Sequence, residues 1–555
     1  MLNSIIDFLK PYLLYTKGEP ILFTQLYFWG FFGIVLALYT LVYKKNTWRT
    51  FYLLLISFFF YYKTSGVFLL LMIFTICSDY NWGKLIYKSN SDARKKIYLS
   101  LSLILNLTLL CYFKYAYFFT ESINQLAGTD MTFFNYFCQF SNTYLGTKDP
   151  VDKLILPVGV SFFTFQSISY TIDMYRRKVT PVNSIFDYGF FVCFFPHLVA
   201  GPIVKANEFL YQIYEPYNLK RKEFGLAIFW ILNGLAKKMM ADYIAINFID
   251  RIFDNPTYYS GIETVFGIFG YSLQIYADFS GYTDIAIGIA LLLGYRLKTN
   301  FKSPYKAQDV SEFWKRWHIS LSTWLKDYLY IPLGGNKKGS IGSYLRITFL
   351  SFVLVLLTGK IWLLYVLLFT ALLLVILALS VPKIKQSINT NINLLVTMLL
   401  GGFWHGSSWL FIIWGGLNGL GLIVHKLWQR YSPFKNTQSF LVKGILVMVT
   451  LTFISFTRVF FRSNSLETVS TLFDRLANHF GGNLIIDVIK GYWVVFLVIL
   501  IGYLIHWIPE RIKENYRTRF AELPLPIMGL LSVVYIICIY QLMSGEMQPF
   551  IYFQF

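Results

Sequence analysis

The stretch Ile392-Asn-Leu-Leu-Val-Thr-Met-Leu-Leu-Gly-Gly-Phe-Trp-His-Gly-Ser-Ser-Trp-Leu-Phe-Ile-Ile-Trp-Gly-Gly-Leu-Asn-Gly-Leu-Gly-Leu-Ile-Val424 decides how this chain folds. One membrane crossing takes about 20 apolar residues. This run is longer, and its middle is interrupted by Gly401-Gly402-Phe-Trp-His405-Gly406-Ser407-Ser408. Irregular backbone survives at membrane depth only where other protein covers it. A hairpin with its turn at His405 satisfies both conditions. Lys383 and Lys385 precede the run and Lys426 and Arg430 follow it. If these cations mark the cytoplasmic side, the hairpin enters and leaves there, with His405 at its deep end.

The rest of the chain has the same character. Of 555 residues, 56% are hydrophobic, 20% aromatic and only 14% charged, against about 25% charged in a soluble domain. Such a surface cannot be hidden in a water-soluble particle, and the same composition excludes disorder, collagen and a disulfide-stapled secreted fold. The net charge of +20 reads as basic cytoplasmic loops rather than a nucleic-acid surface. Cys77, Cys111, Cys138, Cys193 and Cys538 show no metal-ligand spacing. Met1–Phe8 lacks the basic start and cleavage site of a signal peptide, so the first apolar run is expected to stay in the mature protein.

Runs of spanning length fall at Ile21–Tyr43, Ile97–Phe119, Leu154–Ile172, Phe224–Phe248, Trp362–Leu379, Phe440–Phe461 and Pro524–Leu542, with shorter ones at Ile341–Leu357 and Trp493–Trp507. Besides the His405 hairpin, two stretches read as broken: Phe51–Ile76, with Lys63 and Gly66, and Gly261–Leu293, with Asp278, Gly281 and Asp284. The expectation is an all-α polytopic membrane protein with roughly 10–13 embedded helices. It divides into N-terminal spans (1–150), a motif-bearing core (151–430) and C-terminal spans (431–555), forming one transmembrane domain over 1–555. Clusters such as Arg94/Lys95/Lys96 and Arg176/Arg177/Lys178 mark the cytoplasm. So does Arg296–Lys338, where nine Lys/Arg against Asp309, Glu312 and Asp327 leave +6. Glu121–Lys153 and Ser463–Asp487 each sum to −2 and face outward. Threaded so, the final residues Phe550–Phe555 emerge outside.

Ionisable groups in a bilayer are costly and tend to line functional cavities. His405 is accordingly either a general base able to activate a hydroxyl or a histidine that ties helices together by hydrogen bonding. Its glycine neighbours would admit a turn, another backbone or a thin substrate. Asp309 with Glu312 resembles a capping box. The helix it starts puts Trp314, Trp317, Leu321, Trp324, Leu325 and Tyr328 on one face, with His318 at that face's edge. It reads as an amphipathic helix at the cytoplasmic interface, serving as a surface anchor or as a vestibule in which Lys315, Arg316 and Lys326 attract an anionic donor. Asp278 and Asp284 are expected to bond to facing helices. No Walker loop, GxGxxG, HExxH or GxSxG occurs, which argues against a nucleotide-driven pump and a soluble-type hydrolase.

Six ordered blocks carry a resemblance: Leu156-Pro-Val-Gly-Val-Ser-Phe-Phe-Thr-Phe-Gln166, Phe195-Pro-His-Leu-Val-Ala-Gly-Pro202, Gln274-Ile-Tyr-Ala-Asp-Phe-Ser-Gly-Tyr-Thr-Asp284, Phe313-Trp-Lys-Arg-Trp-His-Ile-Ser-Leu-Ser322, Gly402-Phe-Trp-His-Gly406 and Phe550–Phe555. Through them the chain resembles the membrane-bound O-acyltransferase (MBOAT) family, in its bacterial alginate O-acetylase-like branch. His197 departs from that pattern, which often has Gln or Lys there, and inherits no role. The resemblance implies a central tunnel, an essential membrane-embedded histidine matched by His405, and a second polar position matched by His318. It also implies a bacterial cytoplasmic membrane location and acetyl-CoA as acyl donor, with no metal. An extracytoplasmic SGNH-like partner transferase would then acetylate a surface polysaccharide. Tyr552 in the terminal hexapeptide is the expected acyl relay, since a phenol needs a base to attack but leaves readily as an ester. Competing readings are a D-alanyl transferase fed by a carrier protein, a transporter or flippase that makes no acyl bond, and a scaffold for a catalytic partner.

Overall fold

A computed structural model of the chain describes residues 10, 12–16, 20–147, 150–151, 156–198, 201–337, 342, 345–349, 351–352, 361–380, 382–434, 439–541 and 550. These residues form helices and connecting turns, with no β-strand among them. The apolar runs become α1 (Asn46–Ser65), α2 (Leu69–Lys88), α3 (Asp92–Leu110), α4 (Ala116–Ala127), α5 (Val160–Tyr175), α6 (Arg221–Ile244) and α7 (Gly261–Leu292). Two short helices follow, α8 (Val310–Arg316) and α9 (Ile319–Leu325), then α10 (Pro382–His405), α11 (Trp409–Tyr431) and α12 (Phe440–Arg462). The chain continues through α13 (Trp493–Trp507), α14 (Glu510–Glu522) and α15 (Leu525–Tyr540). Six stretches among the described residues are long and apolar enough to cross a membrane, or up to eight if each of two sharply bent pairs counts as one span.

The centre of the molecule is α7. It runs unbroken for 32 residues, so the break expected within Gly261–Leu293 is absent. The side chains that suggested it are paired instead. Asp278 bonds Lys238 at 2.8 Å, and Asp284 bonds Lys237 at 2.6 Å and Asn233 at 2.7 Å, all from α6. Paired carboxylates no longer need water, and the helix continues through them. Small residues let α6 and α7 come close. A Cβ on Gly234 would lie 2.4 Å from the Gly281 carbonyl oxygen, and one on Gly288 would lie 2.6 Å from that of Ala227.

The other two predicted breaks are present. Between α1 and α2 the chain makes one 3₁₀ turn at Gly66–Phe68, with Gly66 at φ 58°, where an L side chain is strained. Between α10 and α11 it turns at Gly406–Ser408, and Ser408 caps α11 by accepting from the Leu410 amide at 3.2 Å. The arms of this hairpin touch through glycine, since a Cβ on Gly402 would meet the Phe411 carbonyl oxygen at 2.3 Å. The apolar run Leu154–Ile172 is realised as α5, shorter than a full span and buried along nearly its whole length.

Candidate functional site

His405 is the last residue of α10 and is 3% exposed. A helix end leaves carbonyls without partners and carries partial negative charge. Here the ends are met by a π-helical turn, Cys111–Tyr115, between α3 and α4. Lys114 Nζ donates to the Trp404 carbonyl at 2.6 Å and the His405 carbonyl at 3.1 Å, and Tyr115 Oη donates to the Phe403 carbonyl at 2.9 Å. The imidazole packs against Trp414 and Phe461, with centroids at 5.1 and 5.4 Å. Lys114 was missed in the sequence, although a lone cation in the apolar run Ile97–Phe119 is the signal that should have marked it. Lys114→Met is expected to destabilise the protein by about 1–3 kcal/mol, the cost of stranding buried acceptors, read by unfolding in mixed detergent micelles. A variant as stable as the parent would mean that Tyr115 alone secures this end of α10.

His318 stands opposite, its ring centroid 6.3 Å from that of His405. The continuous amphipathic helix expected from Asp309 to Tyr328 is not formed. It breaks at His318, which has φ 44° and ψ 54° and is fully buried. A non-glycine residue in this left-handed region costs about 1–3 kcal/mol. The extended segment Asn300–Lys302 holds the break open. Its Asn300 carbonyl accepts from the Ile319 amide at 2.9 Å, its Lys302 amide donates to the Arg316 carbonyl at 2.9 Å, and Asn300 Oδ1 accepts from the Ser320 amide at 3.0 Å. The starting signal is half right. Asp309 caps by accepting from the Glu312 amide at 2.7 Å, but the Glu312 carboxylate turns back to the Gln308 amide rather than to that of Asp309.

This strap also meets the His318 ring. Asn300 Oδ1 already accepts from a backbone amide, so its identity as oxygen follows from the network. His318 Nδ1 faces that oxygen at 3.4 Å and the Ser320 hydroxyl at 3.5 Å; donation from Nδ1 to Asn300 leaves Nε2 with a lone pair. Nε2 has no hydrogen-bond partner among the described residues. Around it lie Phe279, edge-on at 4.7 Å, and Trp404 at 6.2 Å.

A cavity of about 420 Å³ reaches His405 between α8, α9, α10 and α11. Gly401 and Gly402 form part of its wall, while Lys315 and Lys326, both exposed, lie at its rim. Of the three cations predicted together, Arg316 is not in this lining. Its guanidinium pairs with Glu312 at 2.7 Å and donates to the Lys302 carbonyl. Tyr552 lies outside the described residues. Phe550 is described and buried, stacked on Tyr282 at 4.6 Å and 5.6 Å from Phe279, the ring that touches His318. His197 is a packing residue, with Nε2 on the Phe191 carbonyl at 3.1 Å. Among the described residues, no group of His, Cys, Asp or Glu is arranged to hold a metal.

The arrangement places two imidazoles near one another, one of them lining a cavity with a cationic rim, groups that can take part in general acid–base chemistry. The chain is 33% identical over 496 residues to the peptidoglycan O-acetyltransferase of Helicobacter pylori, covering 84% of this chain and 80% of that protein. It is 31% identical over 487 residues to a probable alginate O-acetylase of Pseudomonas putida, covering 82% and 84%. A teichoic acid D-alanyltransferase of Streptococcus thermophilus is 25% identical over 290 residues, covering 51% and 60%. The MBOAT, membrane-bound O-acyltransferase, family model matches residues 67–386. A polytopic scaffold built around a histidine hairpin thus belongs to an acyltransferase, and the chain is a member of the MBOAT family.

Proposed function

We propose that this enzyme is an O-acetyltransferase of the bacterial cytoplasmic membrane. It takes acetyl from acetyl-CoA on the cytoplasmic side and passes it outward for O-acetylation of a cell-surface polysaccharide, through an extracytoplasmic partner of SGNH-like type. The observation that carries this reading is the His405–His318 pair, 6.3 Å apart, with His405 lining a cavity rimmed by Lys315 and Lys326. Exposed ammonium groups suit the phosphates of coenzyme A, and the names of two relatives that match along most of the chain support acetyl over a longer acyl chain.

In the proposed step His405 accepts the proton of an acceptor hydroxyl. The oxygen bonds to the thioester carbonyl carbon, the C–S bond breaks, and the thiolate leaves with the proton held by the imidazolium. His318 is the second base, presenting the Nε2 lone pair left when Nδ1 donates to Asn300. Tyr552, two residues beyond Phe550 in the chain, is the proposed first acceptor, and its aryl ester passes the acetyl onward. Tyr552→Phe is expected to leave membrane abundance unchanged and to lower transfer to the outer acceptor by about 10²-fold, measured with radiolabelled acetyl-CoA. Undiminished transfer at normal abundance would remove Tyr552 from the path.

The Streptococcus relative favours a second reading, an aminoacyl donor carried by a protein. The two separate cleanly. Purified enzyme that consumes acetyl-CoA and ignores a D-alanyl carrier thioester supports acetylation, and the opposite preference overturns it.

A further inference from the structure

A second cavity, of about 170 Å³, lies among α6, α7, α13, α14 and α15. Tyr276 and Phe301 separate it from the histidine pair. Both line this cavity, while Phe301 packs against Trp317 at 5.1 Å and faces His318 at 6.5 Å. Its charged lining is Lys237, Lys302, Lys513 and Arg517 against Asp284 and Glu510. Asp284 is committed to Lys237 at 2.6 Å, and Glu510 approaches Arg517 only at 3.6 Å. Lys513 Nζ meets only neutral acceptors, Ser303 Oγ and the His506 carbonyl, each at 2.9 Å. Neither Lys513 nor Lys302 has a carboxylate partner among the described residues. The cluster is short of negative charge.

The opposite flank is apolar. Trp230, Ile505 and Tyr535 border the cavity, Ile505 and Tyr535 are 52% and 40% exposed, and α15 also exposes Leu530, Val533 and Ile537. A ligand here meets cations at one end and the lipid-facing surface at the other. The volume equals about six waters at ~30 Å³ each, room for a polar headgroup but not for acyl chains, which must lie outside. Basic pockets between membrane helices on the cytoplasmic side bind anionic lipid headgroups, and the Arg511–Arg519 segment belongs on that side by the positive-inside rule.

We propose that this cavity is a binding site for an anionic glycerophospholipid, its phosphate seated among Lys302, Lys513 and Arg517 and its chains leaving past Ile505 and Tyr535. The phosphodiester is the recognised group. The exposed apolar flank selects the lipid form over a free anion.

The test uses the full-length protein in dodecyl maltoside, incubated with equal dioleoyl-phosphatidylglycerol and dioleoyl-phosphatidylcholine and read by native mass spectrometry. The wild type is expected to retain the phosphatidylglycerol roughly tenfold more than the phosphatidylcholine. Lys513→Gln is expected to remove most of that preference. Lys302→Glu, at an exposed side chain whose strap contacts are made by the backbone alone, is expected to reverse the local charge and remove it as well. Equal retention by the parent and both variants would overturn the proposal. Displacement of the lipid by millimolar inorganic phosphate would make this a free-anion site, and displacement by coenzyme A would make it part of the donor site. Either outcome sinks the lipid assignment.

Discussion

His405→Ala is expected to lower acyl transfer by about 10²–10⁴-fold, the contribution of a positioned general base, while leaving a folded protein. The two halves of this expectation have separate physical grounds. The ring closes the cavity wall and touches Trp414 and Phe461, so its loss enlarges a space that already exists. The backbone around it is fixed independently, by Lys114 and Tyr115 on the preceding carbonyls and by the glycine contact between α10 and α11. Single-turnover acetyl transfer from labelled acetyl-CoA, with abundance and detergent stability measured on the same preparation, checks both. A variant that keeps more than about a tenth of the parent rate would remove His405 as the base. His318→Ala serves as the internal comparison. Both rings sit at one reacting centre, so the double variant is expected to lose little more than the worse single one.

The amount of this fold legible in the sequence depended on where the deciding interaction lay. Apolar length gives the spans, and a glycine cluster inside an apolar run gives the hairpin, because both are local properties. Gly66 and Gly406 were read correctly for that reason. The continuity of α7 was not, since the partners that let Asp278 and Asp284 stay inside, Lys238 and Lys237, lie 40 and 47 residues away on α6. The break at His318 escaped likewise. Periodicity runs straight through Trp314–Tyr328, and only the strap at Asn300 stops the helix there. His405 and His318 were each singled out from sequence, but their meeting at 6.3 Å is a product of packing. Lys315 and Arg316 are neighbours that part company for the simplest reason. On a helix, adjacent residues point about 100° apart, and Arg316 finds Glu312 four residues back.

Lys238→Met is expected to cost about 3–5 kcal/mol, the largest loss of stability among single substitutions considered, because it removes the cation from a buried cluster and leaves carboxylates behind. Lys238 Nζ lies 2.5 Å from Asp242 and 2.8 Å from Asp278, and all three side chains are nearly or fully buried. Methionine fills the stem volume but supplies no charge. Asp284 provides the contrast. Its partner Lys237 borders the second cavity, and Asn233 also bonds the carboxylate at 2.7 Å, so Lys237→Met is expected to cost less. The effect should also reach the site, because Asp278 precedes Phe279, whose ring holds His318 edge-on at 4.7 Å. Unfolding in dodecyl maltoside with increasing dodecyl sulfate measures both stability losses, and acyl transfer by the Lys238→Met variant measures the effect on the site. The penalty lies in stranded charge, not in lost attraction, so adding Asp278→Leu and Asp242→Leu to Lys238→Met is expected to recover most of it. If the triple variant is as unstable as Lys238→Met alone, the cluster stabilises the fold by some means other than mutual neutralisation.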